Sequence, residues 1–147
     1  MNAPRSADQF SQTFQIFSEE TWSREQNSYN RNISQFFSGK KNEFFVDIKE
    51  NGIHFLIGIG KSDISDFEIQ RLAMKFSNQY RKNLSAVKTE LIAKDLNQNQ
   101  FESFYKGLFL GTYEYPFKKD HPVLQAEFSL YYKNGNITHS ELHRQAL

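Results

Sequence analysis

The stretch from Ile53 to Tyr80 constrains this chain more than any other, because its apolar period changes midway. Ile53 to Ile59 is apolar on both faces, with Ile53, Phe55, Ile57 and Ile59 on one and Leu56 on the other. A strand of that kind is a central one, covered on both sides by helices. Gly58-Ile59-Gly60-Lys61 then breaks the run. Beyond it Ile69, Leu72, Ala73, Phe76 and Tyr80 recur at i, i+3, i+4, i+7 and i+11, a single stripe on a helix. Ser65 followed by Glu68 fits a capping box. Asp63, Asp66 and Glu68 near the start, and Arg81 and Lys82 near the end, complement the helix dipole. A two-sided strand feeding an amphipathic helix is the unit of a layered α/β fold.

The flanking segments extend that unit. Phe44 to Ile48 reads as a strand and Lys49 to Gly52 as a turn, with Asn51-Gly52 supplying residues that tolerate positive φ. Val87 to Ile92 reads as the next strand, closing a strand–helix–strand unit with a right-handed crossover. From about Asn99 a second helix carries Phe101, Phe104, Tyr105, Leu108 and Thr112 on one stripe. Gly107 and Gly111 share a face of it, where small residues permit close helix approach, and Pro116 forbids its continuation. Glu127 to Tyr132 alternates as a half-covered strand does, and Lys133-Asn134-Gly135-Asn136 reads as the turn after it. Thr138 with Glu141 caps a last helix that reaches Leu147. Residues 1–40 are polar and less patterned. There Phe14, Ile16 and Phe17 suit a short strand or helix edge. Asn30 to Phe37 suits a short helix with Ile33, Phe36 and Phe37 inward, and Gly39 stands at its C-terminal cap.

Composition excludes several classes of function. At 147 residues, with 15 Phe and 7 Tyr, the chain can bury a core as one domain. Its net charge of +1 argues against a dedicated nucleic-acid or anionic-membrane binder. Without Cys there is no disulfide frame, thiolate zinc site or Cys nucleophile, as suits a reducing cytoplasm. The densest apolar run, Ile53 to Ile59, is too short to span a bilayer, and Met1 to Gln9 lacks the apolar core of a secretion signal. The expected location is cytoplasmic.

No complete catalytic apparatus is legible. Gly58-Ile59-Gly60-Lys61 lies between strand and helix, where phosphate can rest on backbone N–H groups. It has neither P-loop spacing nor the third glycine of a dinucleotide fingerprint. It reads first as a tight turn and second as a ligand loop of Gly58, Gly60 and Lys61. His139 and His143 share a helical face, with His121 or Asp120 as distant candidates for a third metal ligand. They lack the metalloprotease pattern, and solvated histidines are the plainer reading, so no metal site is assigned. His54, on the two-sided strand, reads as a hydrogen-bonded residue rather than a catalyst, and Glu19-Glu20 as solvated acids. Phe109, Tyr113, Tyr115 and Phe117 are so closely spaced that some are expected at a surface, where they would form an interface.

One run is more specific. Gly107-Leu108-Phe109-Leu110-Gly111-Thr112-Tyr113-Glu114-Tyr115, followed by Pro116-Phe117-Lys118-Lys119, resembles the end of the N-terminal domain of the leucyl (cytosol) aminopeptidase family. In that family a helix ends in a Gly-x-x-Leu-Gly-x-Tyr-x-Phe-like run before a Lys-rich loop. Upstream, Phe55-Leu56-Ile57-Gly58-Ile59-Gly60-Lys61 is similar to the family's strand ending in Val-Gly-Leu-Gly-Lys, in the same order. The resemblance covers roughly residues 44–147. Glu114 and Pro116 depart from the family's Tyr-Arg-Phe-Asp version of the loop.

The resemblance implies a three-layer α/β/α fold, a macro-domain-like mixed sheet with helices on both faces, over residues 1–137. Residues 138–147 would begin a linker helix to a C-terminal catalytic domain. The family's two divalent ions, zinc or manganese, belong to that domain, in a motif resembling Asn-Thr-Asp-Ala-Glu-Gly-Arg that this chain lacks. The implied role is a non-catalytic domain that packs on the catalytic domain of the same polypeptide and supports a homo-oligomer. The alternative is a free-standing macro-like module that binds ADP-ribose or a related nucleotide. Neither reading involves nucleic acid or membrane.

Overall fold

A computed structural model describes residues 11–50, 52–80, 89–94, 96–111, 128–132 and 135–138, in the order strand β1 (Ser11–Ser18), helix α1 (Glu19–Glu25), strands β2 (Phe44–Lys49) and β3 (Gly52–Gly60), helix α2 (Asp66–Gln79), strand β4 (Thr89–Ala93), helix α3 (Gln98–Gly111) and strands β5 (Phe128–Tyr132) and β6 (Gly135–Thr138). Two 3₁₀ turns, Gln26–Ser28 and Arg31–Gln35, lie between α1 and β2. The strands form one mixed sheet in the order β2-β3-β1-β4-β5-β6. The inner pairs β3–β1, β1–β4 and β4–β5 are parallel, and the outer pairs β2–β3 and β5–β6 are antiparallel.

The alternation of β1 and β3 builds a core on each face of the sheet. Phe14, Ile16, Phe55, Ile57 and Ile59 point to one side, where Ile69, Leu72, Ala73 and Phe76 of α2 and Phe101, Phe104, Tyr105 and Leu108 of α3 meet them. Phe17 and Leu56 point to the other, against Trp22 of α1 and Ile33 and Phe37 of the 3₁₀ region. Two long helices therefore cover one face, and a short helix with 3₁₀ turns covers the other. This is the α/β layering expected. The stripes on α2 and α3 lie where the spacing put them. Ser65 Oγ accepts from Glu68 N at 3.1 Å, while the Glu68 carboxylate pairs with Lys41 at 3.3 Å.

Several elements depart from expectation. The segment of Phe14, Ile16 and Phe17 is an inner strand, flanked on both edges by parallel neighbours, because it alternates large apolar groups between two cores. The strands on either side of the expected turn each run one residue further: Lys49 pairs with Gly52, which is a strand residue without positive φ, and Asn51 lies outside the described residues. The short helix expected over 30–37 is a 3₁₀ helix over Arg31–Gln35 that keeps Ile33 and Phe37 inward but turns Phe36 outward, 68% exposed, where it stacks on Phe45. Gly39 does adopt φ +85°, but its close neighbour is the Ser18 carbonyl at the end of β1. Gly135 and Asn136, read as turn, are strand residues paired with Tyr132 and Tyr131. Thr138 ends β6, and the helix expected after it lies outside the described residues, as do Arg81, Lys82, Thr112 and Pro116.

Candidate functional site

The ligand-loop candidates sit where an open α/β sheet usually binds its ligand, beyond the carboxyl ends of the parallel strands. At that end β1 runs on into α1 on one face and β3 into α2 on the other. The backbone donors there are already engaged. Gly58 N donates to Glu43 O at 2.8 Å and Gly60 N to Gly39 O at 2.8 Å, while Gly58 O accepts from Asn42 N at 3.2 Å. A Cβ on Gly58 would overlap the Lys40 carbonyl, and Gly60 holds φ +81°, a conformation that favours glycine. The glycines thus seat segment 38–43 against the end of β3, which is a structural use of the same residues. Glu43 completes that seat, its Oε1 accepting from Ser38 N, Ser38 Oγ and Lys40 N. Lys61 is exposed, and its carbonyl accepts from Ile64 N.

The neighbouring loop is fastened by a residue that the sequence reading passed over. Gln100, in the first turn of α3, donates through Nε2 to the carbonyls of Ser62 and Ile64, both at 2.9 Å. Its Oε1 accepts from Asn97 N, and Asn97 Oδ1 accepts in return from Gln100 N at 2.8 Å. The reciprocal pair is a capping box built from Asn and Gln, and its spacing was visible in the sequence. Buried with every amide group used, Gln100 fixes the β3–α2 loop to α3.

On the opposite face His54 joins a polar cluster. Tyr29 Oη and His54 Nε2 both donate to Gln15 Oε1, at 2.8 and 2.9 Å, and the two rings meet edge to face. Burial pushes the Tyr29 phenol up to about 12, helped by the charge of Glu25. Burial lowers the His54 pKa, Lys49 lowers it further and Asp47 opposes both. This is the hydrogen-bonded histidine expected. The consequence is a pH dependence. Folded His54 stays neutral while the unfolded chain takes up a proton below about pH 6.5. The stability it confers is complete above that pH and is lost as the pH falls toward the lowered native value. Thermal midpoints measured from about pH 7 down to pH 5 should therefore fall more steeply for the native chain than for His54→Gln. Equal slopes would contradict the assignment.

A groove of about 740 Å³ opens on the outer helix layer. Lys41, Arg71 and Lys75 line it with Glu68 and the apolar Leu110. Arg71 lies 5.7 Å from the ring centroid of Phe67, which is 70% exposed, and Met74 and Leu110 are also exposed. Of the proposed interface aromatics, Phe109 is half-buried at the end of α3, and Tyr113, Tyr115 and Phe117 lie outside the described residues. So do His121, His139, His143 and Asp120. Among the described residues no group of three His, Cys, Asp or Glu is placed to hold a metal ion, and no helix is long and apolar enough to cross a membrane.

No family model matches the chain, and no curated protein does. Among solved structures, a mutant of tomato leucine aminopeptidase is similar over 94% of this chain, with a TM-score of 0.66 and 12% sequence identity. The likeness is one of fold. The chain spans about a third of that structure, 32% of its length.

Proposed function

We propose that this chain is a non-catalytic domain of a metal-dependent leucyl aminopeptidase, packed on the catalytic domain and supporting the oligomer. One observation carries the reading: nearly the whole chain follows the fold of a leucine aminopeptidase, yet it accounts for only about a third of that protein. The order of the motifs around Gly60 and Gly111 supports the same assignment. In this reading the two divalent ions, zinc or manganese, belong to the catalytic domain, and so does peptide-bond chemistry. The groups here hold backbone to backbone: Gly58 and Gly60 seat segment 38–43, and Gln100 ties two loops. The exposed side of α2 and the end of α3 offer contact surface to the rest of such a protein, and the expected location is cytoplasmic.

The test is an aminopeptidase assay on the chain alone with a leucyl chromogenic amide and added zinc or manganese. No turnover above a metal-only blank is expected. Clear hydrolysis that survives repurification would overturn the reading.

A further inference from the structure

The free edge of β2 is self-complementary, and we propose that two copies of this chain pair through it as antiparallel strands. Among the described residues β2 is the last strand on its side of the sheet. Gly58 N donates to Glu43 O, so the odd-numbered backbone groups of this strand face β3. The closing hairpin pair Lys49 and Gly52 keeps that phase. The N–H and C=O groups of Phe44, Val46 and Ile48 therefore point away from the sheet, as alternation in an antiparallel ladder requires.

Asp47 and Lys49, 4.0 Å apart, put charge on one face of this edge, while Phe44, Val46 and Ile48 leave the other face apolar. Ile48 is 75% exposed, and Phe36, 68% exposed, stacks on Phe45 beside it. Exposed apolar groups on an open edge invite pairing with another strand. A second copy fits the sequence of the edge in one register. A two-fold axis through Val46 sets Phe44 opposite the other copy's Ile48, twice, and Val46 opposite Val46. It also sets Glu43, whose Oε1 already accepts from Ser38 and Lys40, opposite Lys49, whose Nζ lies 4.0 Å from its own Asp47, so opposite charges face each other at both ends. These outer pairs would be non-hydrogen-bonded ones, in which side chains approach most closely. An axis through Asp47 would oppose two like charges. An axis through Ile48 would leave Phe44 without a partner strand. An isologous contact of this kind closes as a dimer instead of growing into a fibre.

The edge would supply one contact of the oligomer proposed above. It rests on that reading only for its setting, since dimerisation and peptidase activity are measured separately. The test uses the full chain. Sedimentation velocity over a concentration series should show a monomer–dimer equilibrium. Ile48→Lys and Lys49→Glu should each raise its dissociation constant about tenfold or more, with circular dichroism unchanged because both side chains are solvent-facing. The chain has no Cys, so a single introduced thiol reports the register. Opposed Cα atoms about 5.5 Å apart lie within disulfide range, and Val46→Cys should form a covalent dimer under mild oxidation. A chain that stays monomeric throughout, or a dimer indifferent to both charge variants, would overturn the proposal. A cross-link formed by Ile48→Cys and not by Val46→Cys would overturn the register.

Discussion

Gly107→Ala should destabilise the fold by about 2–3 kcal/mol, although alanine is the better helix former by roughly 1 kcal/mol. The reason lies in the crossing of α2 and α3. A Cβ on Gly107 would collide with the Gln70 carbonyl and stand 2.7 Å from the Ala73 Cβ. Gly111, one turn on, meets α2 in the same way, where a Cβ would strike Ser77 Oγ and lie 2.5 Å from the Met74 carbonyl. At Gly107 the obstacle is backbone, which cannot rotate aside, so the helices must separate. Separation would lift Leu108 and Phe104 off a core in which both are fully buried. At about 3 °C per kcal/mol for a chain of this size, the thermal midpoint should fall by roughly 6–9 °C. Ala73→Gly in the same chain should recover only part of the loss, because the Gln70 carbonyl remains. A stabilised Gly107→Ala variant would show that the helices do not approach as described.

The larger loss is expected at Phe76. Its ring is fully buried and meets Phe14, Phe44 and Tyr80 at centroid distances of 5.2 Å and Phe55 at 5.3 Å. The pairs with Phe14, Phe44 and Phe55 are edge to face, and such pairs add to the simple gain of removing apolar area from water. Phe76 is also the one ring of α2 that touches β1, β2 and β3 together. Phe76→Ala would leave a cavity bordered by four rings, and the expected cost is about 3–5 kcal/mol. A domain of ordinary stability has roughly 5–15 kcal/mol in all, so a large share would go. Urea unfolding should show the midpoint shifted strongly with little change in slope. A loss below about 1 kcal/mol would mean that the neighbouring rings close over the gap.

These residues also show how far the sequence could be read. Phe76 and Gly107 were legible as a core residue and as a close-approach residue, because helical spacing alone assigns a face. The strand–glycine–helix passage was legible for the same reason, through its change of period at Gly58. What spacing cannot give is the partner. Gly58 and Gly60 have the composition of a phosphate loop, and only the bonds from their N–H groups to Glu43 and Gly39 show them holding backbone. Gln100 was invisible as a tie, since its two acceptors lie 36 and 38 residues away. His54 was read as a hydrogen-bonded strand residue, but its acceptor Gln15 lies 39 residues upstream on a strand that the local pattern left ambiguous.

By itself, then, the sequence determined the α/β class, the inward stripes of α2 and α3, and the strand that feeds α2. Those properties follow from composition and from periods of two and 3.6, which a few consecutive residues express. The tertiary structure decided that β1 runs inside the sheet, that the glycine loop is occupied by backbone, and that β2 is, among the described residues, the last strand on its side with Ile48 exposed. Such features depend on which distant segments pair, and pairing is settled by the burial of both sheet faces at once. No single segment carries that information.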